Sequence, residues 1–249
     1  MSLLAPFPAP IAPWAAGPVA WFFVLLASFI PWSAWRTRGR ALRLAAWPTR
    51  KHRFLTGLVV QLWLVTLALL VAGRLGIRLF VPRTPTVAQV VAAAGVLAVM
   101  VAFMAPRWRR AVETRSWRAH FFMPRTGVER ALWSVNAVAA GVCEEIFYRG
   151  VLTAVLGGLL HGALAGAIAS ALLFGLAHAF QSRVSMAIIV FIAAAMQLLT
   201  WWSGALWLAM AAHAVYDVIA GFRYGRLGER LGYPIEGIPL EEARAQPTR

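Results

Sequence analysis

The sequence predicts an all-α, polytopic integral membrane helical bundle with seven or eight transmembrane helices. Of its 249 residues, 61% are hydrophobic and only 13% are charged, about half the charged fraction of a typical soluble domain. The apolar residues lie in runs close to the roughly 20 residues that a helix needs to cross the hydrocarbon. The basic residues lie mostly between these runs, which is typical of membrane topology. Together these observations exclude an ordinary soluble domain.

Seven stretches have the length and composition of spanning helices. They cover residues 18–35, 54–73, 86–105, 131–157, 161–180, 184–202 and 204–222. The fourth stretch is interrupted by charged residues and glycines. It is therefore either one tilted helix or a spanning helix followed by a short interfacial one, which gives the count of seven or eight. The fifth begins with Gly-, Ala- and Ser-rich sequence, and such residues allow close helix packing in lipid, so we expect it to be buried inside the bundle.

The charge distribution orients the chain. Lys and Arg total 24 against 9 Asp and Glu, and cytoplasmic loops are enriched in Lys and Arg. We therefore expect the two heavily basic loops and the tail to face the cytoplasm, with the protein in the cell's inner (plasma) membrane. The basic residues also favour contact with anionic lipid and, because they separate apolar segments, do not indicate nucleic-acid binding. These three blocks contain Arg36, Arg38, Arg40, Arg43, Arg50, Lys51 and Arg53, then Arg107, Arg109, Arg110, Arg115, Arg118, Arg125 and Arg130, and finally Arg223, Arg226, Arg230, Arg244 and Arg249.

Ionisable residues inside the predicted spans are the candidate functional residues. An acidic or basic side chain at the centre of a spanning helix costs about 2.5–3.5 kcal/mol on insertion scales. Such residues are therefore expected to pair with one another or to face a polar cavity. Only three of the acidic residues lie in predicted spans, together with one arginine and two histidines, apart from His161 at the junction that begins the fifth span. This set consists of Glu144, Glu145, Arg149, His178, His213 and Asp217.

The spacing of these residues groups them on helix faces. Glu145 and Arg149 are four residues apart, so an α-helix brings them onto one face as an ion pair. Glu144 is rotated by about 100° from Glu145 and is free to point elsewhere. Phe174 and His178 are also four residues apart, as are His213 and Asp217. Three helices thus each present a pair of side chains to a common interior.

Three motifs carry a family resemblance. Residues 144–149 match EExxxR, residues 174–178 match FxxxH, and residues 213–217 match HxxxN/D. In this order and on separate spans, they resemble the CPBP family (CAAX proteases and bacteriocin-processing enzymes), which includes the CAAX prenyl protease 2 type. The resemblance covers roughly 131–222. It divides the chain into N-terminal helices with basic loops (1–130), a protease core (131–222) and a short cytoplasmic tail (223–249).

The resemblance implies an intramembrane endopeptidase. It implies that Glu144 and His178 bind and activate a water, and that His213 and residue 217 stabilise the oxyanion. Glu145 and Arg149 would then support the site. Peptide hydrolysis needs a base for the water and donors for the oxyanion, so these residue types suit the reaction.

Two features of the implied site stay open. Asp217 stands where some members have Asn, and an ionised carboxylate cannot donate to an oxyanion. It is either protonated or orients His213. The family has been described both as metallo-type and as glutamate-dependent, and the residues could bind zinc. Because the sequence lacks HExxH, we favour water activation without a cofactor.

Other functions are compatible with the same residues. Buried carboxylates and histidines also serve proton relays, so a proton-coupled membrane transporter is one alternative. A catalytically inactive immunity or scaffold protein is another. For a protease, the expected partners are the lipid bilayer and a peptide or protein substrate near the membrane, either CAAX-type or leader-peptide-like.

Overall fold

The computed structural model describes residues 7–12, 17–37 and 39–246. Within these ranges the chain forms helices joined by loops and turns, and it contains no β-strand. The predicted all-α class is therefore confirmed. Arg38 and Arg249, which the sequence analysis placed in the basic blocks, lie outside the described residues.

The long helices follow the predicted spans in order. The fourth predicted span is continuous, because α4, a π-helical segment at Glu145–Leu152 and α5 follow one another without a break. It is therefore one helix, and a turn at residues 160–162 separates it from α6. The elements are α1 (Pro18–Thr37), α2 (Arg50–Leu75), α3 (Val87–Glu113), α4 (Gly127–Glu144), α5 (Thr153–Leu159), α6 (Ala163–Ala177), α7 (Arg183–Ser203), α8 (Leu206–Arg230) and α9 (Leu240–Ala245), with short 3₁₀ turns at Arg40–Arg43 and Trp117–Phe122.

Local sequence signals fix where the central helices begin. The Thr126 side chain accepts the Glu129 backbone N–H, and the Glu129 side chain accepts the Thr126 backbone N–H. Thr86 and Gln89 form the same reciprocal pair at the start of α3. Such capping boxes satisfy backbone donors that a helix N-terminus otherwise leaves unpaired.

Helix α4 packs against both α2 and α8, and α8 also packs against α3. The crossing of α4 and α8 is close because Gly141 has no side chain. A Cβ atom there would lie 2.5 Å from the backbone nitrogen of Ala214. This contact sets α4 directly against the part of α8 that carries His213.

The outer surface is apolar, as a lipid-facing surface requires. Helices α1, α2, α3 and α7 are each long and apolar enough to cross a membrane. They expose large apolar side chains such as Leu25 (68%), Leu70 (65%) and Leu198 (61%). Contiguous exposed apolar surface of this kind is rare on soluble monomers. The finer count of seven or eight spanning helices stays a prediction.

Helix α6 is buried on one face only. Gly166 lies on the buried face, where it packs closely against the backbone of Gly157 in α5. Leu164 and Ile168 are exposed on the opposite face. The expectation that this whole segment is buried inside the bundle is therefore wrong, because small residues set the contact on one side while apolar residues cover the other.

The tail packs against the basic loops to form a second core. We call it the loop–tail cluster. Trp47 Nε1 donates to the Ile238 carbonyl at 2.8 Å, and Tyr233 Oη donates to the Ser116 carbonyl at 3.1 Å. The buried side chains of this cluster are Leu42, Val112, Trp117, Ala119, Phe121, Met123, Tyr233, Ile238 and Ala243.

Candidate active site

A cavity of about 990 Å³ lies between α2, α3, α4, α7 and α8. All six candidate residues identified from the sequence line it, together with Phe174 of the second motif. The structure thus brings three motifs that lie in separate parts of the sequence to one cavity. The candidate residues are Glu144, Glu145, Arg149, His178, His213 and Asp217.

The first motif lies where α4 changes to a π-helix. Glu144 is the last residue of α4, and Glu145 begins the π-helical segment. The wider turn is stabilised at the Tyr148 carbonyl, which accepts the backbone N–H of Thr153 and the hydroxyls of Thr153 (2.9 Å) and Ser170 (2.8 Å). π-Helical turns often occur at functional sites. Here the turn allows two consecutive glutamates to make different contacts.

Glu145 forms a buried ionic network. Its carboxylate has no exposed surface, and Oε1 lies 3.1 Å from Nη1 of Arg149. The ion pair expected from the spacing is therefore present. The same oxygen also lies 2.8 Å from Nδ1 of His213. Because one oxygen is shared by a guanidinium and an imidazole, Glu145 is held in a fixed position.

Phe174 supports this network from the second motif. The guanidinium carbon of Arg149 lies 4.1 Å from the centre of the Phe174 ring. A desolvated cation over an aromatic face is stabilised by about 2 kcal/mol or more. Phe174 also contacts His178, with 4.7 Å between ring centres. The aromatic residue of FxxxH therefore links Arg149 to His178.

Glu144 points into the cavity and contacts a different helix. Gln61 Nε2, from α2, donates to Glu144 Oε1 at 2.5 Å. Asn136 lines the same cavity two turns before Glu144. Gln61 is not among the residues predicted from the sequence, although it is the only amide side chain in the predicted span 54–73. An amide in an apolar span is the signal that could have identified it.

His178 has a defined orientation at the end of α6. Its Nδ1 lies 2.8 Å from the Phe174 carbonyl oxygen. A carbonyl can only accept, so Nδ1 carries the proton and donates it. In the neutral ring, Nε2 then has a free lone pair. His178 can therefore accept a hydrogen bond from a water in the cavity.

His213 lies between two carboxylates. Glu145 contacts its Nδ1, and Oδ2 of Asp217 lies 3.6 Å from its Nε2, which is too long for a hydrogen bond. Trp133 Nε1 donates to the Asp217 backbone carbonyl at 2.8 Å and so ties α8 to α4. The carboxylate that orients the ring through a hydrogen bond is therefore Glu145.

The side chains of the described residues form no prearranged group of three metal ligands. Among the described residues, no three His, Cys, Asp or Glu side chains are grouped closely enough to hold a metal ion. The Glu145 oxygen nearest to His213 already contacts Arg149. A catalytic zinc site usually needs three protein ligands and one open position. We therefore derive no chemical step through a metal.

Comparison with known families gives a match in the second half of the chain. Residues 127–219 match the family model described as type II CAAX prenyl endopeptidase Rce1-like. The matched segment contains all three motifs. No curated protein and no solved structure matches the chain.

The fold and the matched segment support one class of protein. The apolar outer helices of the bundle and the family match together support an intramembrane endopeptidase of the CAAX type. Over residues 127–219, the chain is similar to the type II CAAX prenyl endopeptidases, and this match supports the CPBP family of CAAX proteases and related enzymes. This confirms the family resemblance inferred from the three motifs.

Proposed function

We propose that the protein hydrolyses a peptide bond of a membrane-associated substrate, using a water held between Glu144 and His178. One observation carries this proposal: both residues face the same cavity, whereas the neighbouring Glu145 is engaged by Arg149 and His213. Glu144 is therefore the carboxylate that is available to act as a base. Gln61 holds one of its oxygens and leaves the other for the water.

The reaction begins with the water. Glu144 accepts one proton, while the His178 Nε2 lone pair accepts a hydrogen bond from the second water hydrogen. The water oxygen forms a bond to the substrate carbonyl carbon, giving a tetrahedral intermediate. The C–N bond then breaks, and the proton on Glu144 passes to the leaving amine. This sequence needs no covalent intermediate.

His213 stabilises the oxyanion of that intermediate. When both ring nitrogens carry protons, Nδ1–H donates to Glu145 and Nε2–H donates to the oxyanion. Glu145 and Arg149 act as positioning residues because they hold the ring in place. Asp217 lies beside Nε2, where it directs the N–H before substrate binds.

The substitution Asp217→Asn separates the two roles considered for this residue. If residue 217 directs the His213 N–H through its charge, the amide variant loses activity. If residue 217 donates to the oxyanion, the amide variant retains activity, because an amide N–H is a donor. The measurement is kcat/KM with one reporter peptide, with wild type and Glu113→Gln as references. Glu113 lies on the surface, paired with Arg109.

The reaction is proposed to proceed without zinc. His178 and His213 come from different parts of the chain, and Glu145 already contacts Arg149. The site therefore has no prearranged set of zinc ligands. We expect the purified enzyme, after treatment with a zinc chelator, to cleave the reporter at the untreated rate. Loss of activity on chelation and its recovery on adding zinc would favour the metallo-type reaction.

The substrate is proposed to be a CAAX-type or leader-peptide-like segment at the membrane. The cavity extends from the candidate active site to arginines at the end of α3 and in the following loop. Because cytoplasmic loops are enriched in basic residues, we propose that the cavity opens toward the cytoplasm. The tail then also faces the cytoplasm, in the cell's inner membrane.

A cleavage assay tests the proposed function. The full chain is purified in detergent, and a fluorogenic membrane-anchored peptide is incubated with wild type, Glu144→Gln and Glu113→Gln. Loss of a general base typically costs 10²–10⁴-fold in rate, so we expect a loss of about that size in Glu144→Gln alone. Solute flux that depends on Glu144, without proteolysis, would instead indicate a transporter.

A further inference from the structure

A second cavity, of about 850 Å³, lies at the C-terminal end of α1. Its lining contains four arginines and, among the described residues, no acidic side chain. None of the six candidate catalytic residues lines it, so the active site does not account for its charge. Such a concentration of like charge attracts anions. We call this space the α1 pocket, and its arginines are Arg36, Arg40, Arg43 and Arg118.

Two of these arginines project from a turn that the tail holds in place. Arg40 and Arg43 lie in the first 3₁₀ turn, and Leu42 between them is buried in the loop–tail cluster. Arg244 Nε donates to the Leu42 carbonyl at 2.7 Å, and its Nη2 donates to the Leu44 carbonyl at 3.0 Å. With Leu42 buried, Arg40 and Arg43 are exposed and line the pocket. Two positive charges therefore lie on a turn whose backbone is fixed.

The other two arginines of the pocket are also positioned by contacts. Arg36 lies in the last turn of α1, with its guanidinium carbon 5.9 Å from the centre of the Trp32 ring. Arg118 comes from the 3₁₀ turn after α3. Its Nε donates to the Phe180 carbonyl at 2.9 Å, and its guanidinium carbon lies 4.8 Å from the centre of the Trp117 ring. Guanidinium groups bind phosphate oxygens through charge-assisted hydrogen bonds. Arginines from three segments thus line one space that suits a phosphate group.

An exposed apolar stripe on α1 leads to this pocket. Its side chains recur three or four residues apart, so they share one face of the helix, and each is more than half exposed. Arg36 follows the last of them at the same spacing. We call this surface the α1 stripe, and it consists of Phe22, Leu25, Phe29 and Trp32.

The α1 stripe has the length of one leaflet of a bilayer. Phe22 and Trp32 are ten residues apart, which corresponds to about 15 Å along the helix axis. This length is half of the roughly 30 Å thickness of the hydrocarbon core. Tryptophan favours the headgroup layer. Trp32 and Arg36 are therefore expected at the membrane surface, with the rest of the stripe against acyl chains.

We infer that the α1 pocket binds one anionic glycerophospholipid, with its phosphate between the arginines and an acyl chain along the α1 stripe. Basic pockets beside spanning helices favour anionic headgroups. A zwitterionic headgroup would bring a cation that finds no acidic partner in the lining. The stripe favours a lipid over a soluble phosphate, because a soluble anion would leave the stripe without a ligand. This inference goes beyond the proposed protease function and does not rest on it.

A lipid titration followed by native mass spectrometry tests the site. The full chain is purified in detergent and titrated with dioleoyl phosphatidylglycerol or with dioleoyl phosphatidylcholine, which have the same acyl chains. For wild type we expect the first phosphatidylglycerol to bind at least about tenfold more tightly, as one or more charge-assisted contacts predict. Equal dissociation constants for the two lipids would overturn the inference.

Two triple variants assign this preference to the pocket. Each removes three exposed arginines on the side of the membrane proposed to be cytoplasmic, so the loss of net charge is equal. The pocket variant should bind the two lipids about equally, whereas the control variant should keep the wild-type ratio. A wild-type ratio in the pocket variant, or equal losses in both variants, would overturn the inference. The pocket variant is Arg36→Gln/Arg40→Gln/Arg43→Gln, and the control variant, at the end of α8, is Arg223→Gln/Arg226→Gln/Arg230→Gln.

Two further measurements separate a lipid from a soluble phosphate. The variant Leu25→Ala/Phe29→Ala should weaken phosphatidylglycerol binding about tenfold, because it removes apolar surface that an acyl chain would cover. The control is Phe191→Ala/Leu198→Ala, which changes a similarly exposed pair on α7 and should leave binding unchanged. Glycerol 1-phosphate should not displace the lipid at equal concentration. Displacement by glycerol 1-phosphate, or wild-type affinity in Leu25→Ala/Phe29→Ala, would overturn the assignment of a lipid.

Discussion

Two buried arginines show how the loop–tail cluster and the candidate active site differ. Arg50 donates to the backbone carbonyls of His120 and Ile235. Its guanidinium also lies 3.7 Å from a carboxylate oxygen of Glu129. Arg149 instead contacts the Glu145 side chain and the face of Phe174. The first network joins loops, while the second holds side chains in position.

The two networks therefore have different roles. Hydrogen bonds from Arg50 to the backbone of two segments hold those segments together, whereas the contacts of Arg149 fix side chains that line the cavity. We therefore expect changes around Arg149 to affect catalysis and stability together, and changes in the loop–tail cluster to affect stability.

The largest effect is expected for Arg149→Leu. This change leaves the Glu145 carboxylate buried without its cation, which typically costs 3–5 kcal/mol, and it releases His213. We expect loss of reporter cleavage and a lower midpoint in denaturant unfolding of the detergent-solubilised protein.

The double variant Arg149→Leu/Glu145→Leu separates the two consequences. Removing both charges should restore much of the stability, because no uncompensated charge remains, while activity stays lost. Recovery of activity in the double variant would show that this network does not position the site.

In the loop–tail cluster, a pH effect of roughly 3 kcal/mol is expected at His120. Burial, followed by the Arg50 charge, lowers the pKa of His120 from 6.5 to about 4, and one pKa unit corresponds to about 1.4 kcal/mol. The folded protein therefore keeps His120 neutral where the unfolded chain binds a proton. Its contribution to stability is complete above pH 6.5 and is lost progressively as the pH falls toward 4.

Unfolding midpoints between pH 7 and pH 4 measure this effect. The variant His120→Gln should show a weaker decrease in stability over that interval than wild type. Parallel curves for the two proteins would show that His120 does not cause the pH dependence.

Closer to the active site, Gly141→Ala should lower the free energy of unfolding by about 1–3 kcal/mol, because the added methyl group overpacks the helix contact. The new methyl group would press on the backbone of Ala214 and move α8 away from α4. Because His213 adjoins that contact, activity should fall with stability. Gly95→Ala is the matched control, since a Cβ there meets no atom within 4 Å, and it should leave both properties near wild type.

The smallest effect is expected for Gln61→Leu. The change removes the hydrogen bond to Glu144, and about 1.4 kcal/mol in the transition state corresponds to tenfold in rate. We expect kcat to fall about tenfold with little change in thermal stability. Gln61→Glu should lower kcat further, because it places a second carboxylate beside the base. Unchanged kcat in both variants would show that Gln61 does not contribute to catalysis.

The motifs made much of the site predictable from the sequence. Glu145 and Arg149 could be paired by helical spacing alone, and the pair persists in the π-helical turn. The contact between Gln61 and Glu144 joins residues 83 positions apart, so no local pattern indicates it. Likewise, the packing of the tail against the basic loops depends on several short segments that meet only in the folded chain.

The most direct test of the central claim is cleavage by purified wild type, Glu144→Gln and His178→Gln with one membrane-anchored reporter peptide, using mass spectrometry to define the products. We expect a single cleavage by wild type and a loss of about 10²–10⁴-fold in rate in each variant, with unfolding midpoints near that of wild type. Cleavage at the wild-type rate by folded Glu144→Gln would contradict the assignment of Glu144 as the base.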